Sequence, residues 1–107
     1  MTLLYLKRFE EAKSLLRKTI PVSRRVLGED AQSTLKMRAV YASVLYQEDG
    51  TTLDDLREAV TTLEETERTA RRVLGGAHPV ATTIELDLRG ARAALRARET
   101  PPAAAGN

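Results

Sequence analysis

Phe9 to Gly28 reads FEEAKSLLRKTIPVSRRVLG, and Leu56 to Gly75 reads LREAVTTLEETERTARRVLG. At an offset of 47 residues, nine of the 20 positions are identical: Glu11/Glu58, Ala12/Ala59, Leu16/Leu63, Thr19/Thr66, Arg24/Arg71, Arg25/Arg72, Val26/Val73, Leu27/Leu74 and Gly28/Gly75. Average residue usage would give roughly one match. A period of this size carrying helical patterning is the signature of stacked helical repeats, each of which buries its apolar face only against its neighbours. Such arrays present surfaces to partners rather than catalytic pockets.

Outward from the two copies, apolar residues recur at helical spacing. Phe9, Ala12, Leu16, Ile20 and Leu27 define one face of the first copy, and Gly28 suits a left-handed helix stop with Arg24 and Arg25 in the last turn. Pro21 removes a backbone donor inside this helix and predicts a kink near Ile20. Leu3 to Leu6 reads as the last turn of a preceding helix. A further helix is expected from Gln32 or Ser33 to Gln47, capped by Asp30 or Ser33. Leu35, Ala42, Leu45 and Tyr46 form one flank of it, and Met37, Tyr41 and Val44 the other. Two apolar flanks imply a helix sandwiched between neighbours. Glu48, Asp49 and Gly50 read as a turn. Thr51 or Thr52 caps the second copy, where Glu64/Arg68 and Glu67/Arg71 form i,i+4 pairs. Pro79 opens a last helix with Val80, Ile84, Leu88, Ala91 and Leu95 inward.

The chain is therefore expected to be all-α, with antiparallel helical hairpins over residues 1–98 and a disordered tail over 99–107. The hairpin region makes about two repeats, the first lacking most of its first helix. The 107 residues are enough for one domain and a modest core. There is no cysteine, so disulfides and thiolate metal sites are excluded. No stretch approaches the roughly 20 apolar residues of a membrane span, and a cytosolic or nuclear chain is the default expectation. Net charge is +2 but uneven: +5 over residues 1–38, −6 over 48–69 and +4 over 71–98. Faces of opposite sign suit charged partners or stacking.

The ending RRVLGGAHP of the second copy resembles the tetratricopeptide repeats of kinesin light chains and their relatives. Val73-Leu74-Gly75 and His78-Pro79 carry that resemblance, whereas the first copy keeps Val26-Leu27-Gly28 but has Ala31-Gln32 in place of His-Pro. The longer phrase TTLDDLREAVTTLEETERTARRVLGGAHP is also similar to repeats common in marine algal proteins. The resemblance implies a right-handed superhelix whose first helices, 32–47 and 79–97, line a concave groove, with 9–27 and 53–74 as second helices. It implies groove positions at Lys36, Ala39, Ser43 and Tyr46. Relatives that clamp a peptide main chain carry two Asn in this helix; here Ala39-Val40 stand in one and Leu86-Asp87 in the other.

Chemistry-bearing residues are sparse. His78 is the only imidazole, with no cysteine or second histidine to join it, and a turn or capping role is expected. Asp54/Asp55 and Glu64/Glu65 are adjacent pairs that point about 100° apart on a helix and do not converge. Arg89, Arg92 and Arg96 form one stripe without an aromatic platform, so nucleic acid is not the expected partner. The expectation is a non-enzymatic interaction module with no cofactor and no metal, binding a protein or adjacent repeats through Lys36, Arg38, Ser43 and Tyr46. The alternative is a structural chain forming homo-oligomers through Leu3, Leu4 and Leu6.

Overall fold

The computed structural model describes the backbone of residues 2–47 and 51–99, and within those ranges the side chains from Arg8 onward. Four helices make up these residues: α1 (Thr2–Val26), α2 (Gln32–Gln47), α3 (Leu53–Leu74) and α4 (Pro79–Glu99). Each packs against the next, and α2 also touches α4. Paired contacts show successive helices to be antiparallel: Arg17 with Tyr41 and Ser23 with Thr34, Arg38 with Glu65 and Tyr41 with Glu58, Glu64 with Arg92 and Arg57 with Glu99, so α2 and α4 run parallel. This is the stacking of a short helical repeat, extending 50 × 32 × 20 Å.

Two expectations are corrected. Leu3–Leu6 do not belong to a separate helix: α1 runs unbroken from Thr2, because Leu6-Lys7-Arg8-Phe9 contains no glycine or proline to interrupt it. The last helix extends to Glu99 rather than stopping at 97. Of the expected disordered tail at 99–107, Glu99 is helical and 100–107 lie outside the described residues, as does the expected turn at 48–50. Pro21 is exposed and sits within α1, interrupting the hydrogen-bond ladder without ending the helix.

The repeated sequence produces repeated geometry. Gly28 and Gly75 both take positive φ, +100° and +94°, a conformation that costs glycine nothing. The Ala31 N–H donates to the Gly28 carbonyl at 3.3 Å, and the His78 N–H to that of Gly75 at 3.2 Å. Thr19 and Thr66 each turn the hydroxyl back onto the carbonyl four residues earlier, at 2.7 and 2.6 Å. The second helix start is the better capped: His78 Nδ1 accepts from the Val80 N–H at 3.1 Å, which Ala31 has no side chain to imitate. Neither Asp30 nor Ser33 is seen capping α2; Asp30 instead accepts from Arg72 at 3.3 Å. At α3 the Thr52 hydroxyl caps as expected, accepting from the Asp55 N–H at 3.0 Å.

The core is aliphatic and centred on α2, α3 and α4. Leu35, Leu45, Leu56, Leu63 and Ile84 are at most 1% exposed. Each such burial is worth roughly 1.5–3 kcal/mol, which dominates any surface ion pair here. One polar pair interrupts it: Ser23 on α1 and Thr34 on α2 share a buried hydroxyl–hydroxyl bond of 2.7 Å. Their counterparts 47 residues on are Ala70 and Ala81, both buried. The same interface is thus built once with a hydrogen bond and once with methyl groups. Removing one hydroxyl strands the other, whereas removing both reproduces the second copy. Thr34→Ala is expected to lose about 1–2 kcal/mol in urea denaturation. The double variant Ser23→Ala/Thr34→Ala is expected to lose no more than that single change, and a fully additive loss would refute this reading.

Candidate partner-binding groove

The parallel arrangement of α2 and α4 leaves a groove between them, closed at one side by Phe9 of α1. Its volume is about 630 Å³. The buried Ala39 and Ile84 form its floor, while Val40, Val44 and Val80 stand along it. Val40 is 52% exposed, a large apolar side chain turned to water. Lys36 marks the end where both helices begin, beside Pro79; Gln47 marks the other. Ser43 and Asp87 add a hydroxyl and a carboxylate to the lining. The small side chains at 39 and 43 make the groove open, since their volume fixes how far the floor lies below the flanking residues.

Of the four expected contact residues, the structure brings Lys36 and Ser43 together in this groove. Tyr46 sits at its edge, half-buried against α4. A Cβ on Gly90 would come within 3.1 Å of the Tyr46 hydroxyl, so the missing side chain there is what admits the ring. The hydroxyl lies 3.4 Å from Asp87 and accepts from Gln47 at 3.3 Å. Burial raises this phenol above its usual pKa, opposed by the Gln47 bond and aided by Asp87. Arg38 is placed elsewhere: it is 8% exposed and reaches Glu65 of α3 at 3.1 Å. Arg38 lies two residues past Lys36, which on a helix turns it about 200° away from the groove. Leu3, Leu4 and Leu6 belong to α1, but their side chains are outside the described residues.

The face on which Arg38 lies carries a part-buried polar relay that periodicity alone did not disclose. Arg17 Nε of α1 donates to the Tyr41 hydroxyl at 2.9 Å, and that hydroxyl donates to Glu58 of α3 at 2.6 Å. Three successive helices are thereby joined through one phenol. The sequence signal was the placement of a tyrosine among apolar residues on the second flank of α2. Burial first, then donation to Glu58, pushes the Tyr41 phenol above its usual pKa, with Arg17 acting in the opposite sense. The arrangement bridges helices, and Arg17, Tyr41 and Glu58 line a shallow cavity between α1, α2 and α3.

The remaining candidates resolve into structural contacts. Arg92 pairs with Glu64 at 2.9 Å and Arg89 lies 3.8 Å from Glu85. Glu64 thus chooses a partner on α4 over the expected Arg68, while Glu67 and Arg71 pair at 3.4 Å as expected. Arg98 donates to the Thr51 carbonyl at 2.7 Å, and Thr51 in turn donates to that of Leu45 at 2.6 Å, tying α4 to the end of α2. Among the described residues no group of acidic, histidine or cysteine side chains is disposed to hold a metal ion, and no helix is long and apolar enough to cross a membrane.

Residues 1–30 match the family model of the tetratricopeptide repeat. The matched stretch comprises α1 and the turn at Gly28, and the second copy at 56–75 repeats much of it. No curated protein and no solved structure matches the chain. The tetratricopeptide match and the four-helix stack agree on a helical repeat of the kind that serves protein–protein interaction.

Tyr41 gives the relay a pH signature. A phenol whose folded pKa exceeds its ordinary value near 10 stabilises the fold fully below pH 10, and that contribution is lost as pH rises through the folded value. Tyr41→Phe is expected to lower stability by about 1 kcal/mol at pH 7 and to flatten the decline above pH 10. Denaturation midpoints of both proteins between pH 7 and 11 test this. Parallel curves would show that Tyr41 does not titrate with folding.

Proposed function

We propose that this chain is a non-enzymatic helical-repeat module of the kinesin-light-chain-like tetratricopeptide type, acting as a scaffold or adaptor, and that it seats a protein partner in the groove between α2 and α4. The observation that carries this reading is the exposed apolar lining of that groove, with Val40 half out in water and a single cation, Lys36, at its head. Apolar surface of this kind on a folded chain marks an interaction site. The expected Asn pair is replaced by Ala39-Val40, and of Leu86-Asp87 only Asp87 lines the groove. The grip is therefore on side chains: a partner segment presents apolar groups to Val40, Val44 and Val80 and a carboxylate to Lys36. A cytosolic or nuclear setting accords with this reading.

Val40→Arg places a charge in the groove at an exposed position, and Lys36→Glu reverses the groove's head; neither disturbs a buried group. Immobilised wild-type chain and both variants are exposed to the same cell extract, after circular dichroism has established equal helicity. Proteins retained by the wild type are expected to fall at least tenfold on Val40→Arg, and those carrying acidic segments to fall on Lys36→Glu. An unchanged set on both variants would overturn the groove as the binding surface.

A further inference from the structure

The internal repeat makes it possible to say what α1 lacks. On α3, the flank that receives α2 includes Ala59, Thr62, Thr66 and Thr69, with Glu58 and Glu65 beside them meeting Tyr41 and Arg38. Subtracting 47 transfers this flank to Ala12, Leu15, Thr19 and Val22 of α1, with Glu11 and Lys18 beside them. Ala59 and Thr66 are fully buried, but Ala12 and Thr19 are only half-buried. Two threonines of the covered flank are replaced by larger apolar residues on the uncovered one, and these stand in water: Leu15 is 65% exposed and Val22 46%. Val26, on the same flank, is 73% exposed. Among the described residues this flank of α1 has no neighbour, and it is more apolar than the flank of α3 that has one.

The opposite end of the stack behaves differently. The α2 residues Leu35, Ala42 and Leu45, each 0% exposed, become Thr82, Arg89 and Arg92 on α4, all exposed. That flank is mainly polar, with Leu86, 63% exposed, as its large apolar side chain. Head-to-tail stacking of two copies would set Arg89 and Arg92 against Leu15 and Val22 and withdraw both guanidinium groups from water, which disfavours that way of covering α1. Pairing two α1 flanks would bring Arg8, Lys18 and Arg25 of each copy together against only Glu11, an arrangement of like charge.

We infer that the free flank of α1, separate from the groove, takes an amphipathic helix of a partner protein, lying antiparallel to α1 as α2 lies to α3, with an acidic residue facing Lys18. The sign follows from the repeat. Glu65 meets Arg38 of α2, and its counterpart on α1 is Lys18, so the partner carries a carboxylate where α2 carries Arg38. Where Tyr41 donates to Glu58, the partner keeps a donor for Glu11. Apolar residues at the places of Leu35, Ala42 and Leu45 cover Leu15 and Val22. The α2 sequence with one charge reversed satisfies every one of these conditions.

The test uses two fluorescent peptides, residues 32–47 as they stand and the same peptide carrying Arg38→Glu, titrated by anisotropy with the intact chain. The Arg38→Glu peptide is expected to bind at least fivefold more tightly. In the Lys18→Glu chain the order is expected to reverse, an outcome that misfolding cannot produce. Leu15→Glu and Val22→Glu are expected to remove binding of both peptides, with helicity retained. Equal affinities, absence of binding, or a preference unmoved by Lys18→Glu would overturn the assignment. A wild-type dimer in light scattering that Val22→Glu dissolves would also overturn it, by showing that a second copy occupies the flank.

Discussion

The structure depends on the enclosure of α2. Leu35, Ala42 and Leu45 are wholly withdrawn from water, and no single neighbouring helix surrounds them. A helix apolar on two flanks must be packed from two sides, here by α1 and α3, and that requirement sets the antiparallel order of the hairpins. The positive-φ glycines at 28 and 75 then allow the α1–α2 and α3–α4 reversals to be short. With α2 held between two antiparallel neighbours, α4 takes its position by stacking on α3 and touching α2, and the groove is the space left between two parallel helices. The groove is a consequence of the burial, not a separate construction.

Buried polar contacts distribute specificity along this apolar frame. The Ser23–Thr34 bond exists only at the first interface, and the Arg17–Tyr41–Glu58 relay has no copy 47 residues on, where Glu64 and Leu88 stand for Arg17 and Tyr41. Hydroxyl groups withdrawn from water cost free energy unless satisfied. Each such contact therefore penalises any register but its own, which is useful in a stack whose units are similar enough to interchange. The apolar positions shared by both copies supply stability; the positions at which the copies differ supply order.

Helices, turns and most of the core were legible in the sequence because they follow from local periodicity and from glycine and proline placement. The helices α2, α3 and α4 fall close to their expected bounds, whereas α1 begins at Thr2 instead of near Phe9, and Val80, Ile84, Leu88 and Ala91 face inward as the spacing implied. What was not legible depends on which of two flanks meets which neighbour. Lys36 and Arg38 are both basic and close in sequence, yet one lines the groove and the other is buried against Glu65. Periodicity places them on different sides of α2 but does not say which side is open. Likewise Glu64 had two arginines within reach, one on its own helix and one on α4, and only the packing of α4 decides for Arg92. The join between Leu6 and Phe9 was misread for a different reason: the apolar run Leu3 to Leu6 suggests a separate helix end, yet no residue between it and Phe9 compels a break.

The two outer flanks of the stack differ in a way that composition averages conceal. Translating α2 onto α4 turns apolar positions into arginines and a threonine, while translating α3 onto α1 turns threonines into leucine and valine. A helical stack that stops must replace core-type residues with polar ones on its last face, because unburied leucine at such a face promotes association. On α4 that replacement holds at Thr82, Arg89 and Arg92, while Leu86, in the place of Ala39, stays apolar and 63% exposed. On α1 the substitutions run the other way, against solvation and toward burial. The α4 flank is thus largely solvated by its own side chains, and the α1 flank has the surface of an interface whose second half is not among the described residues.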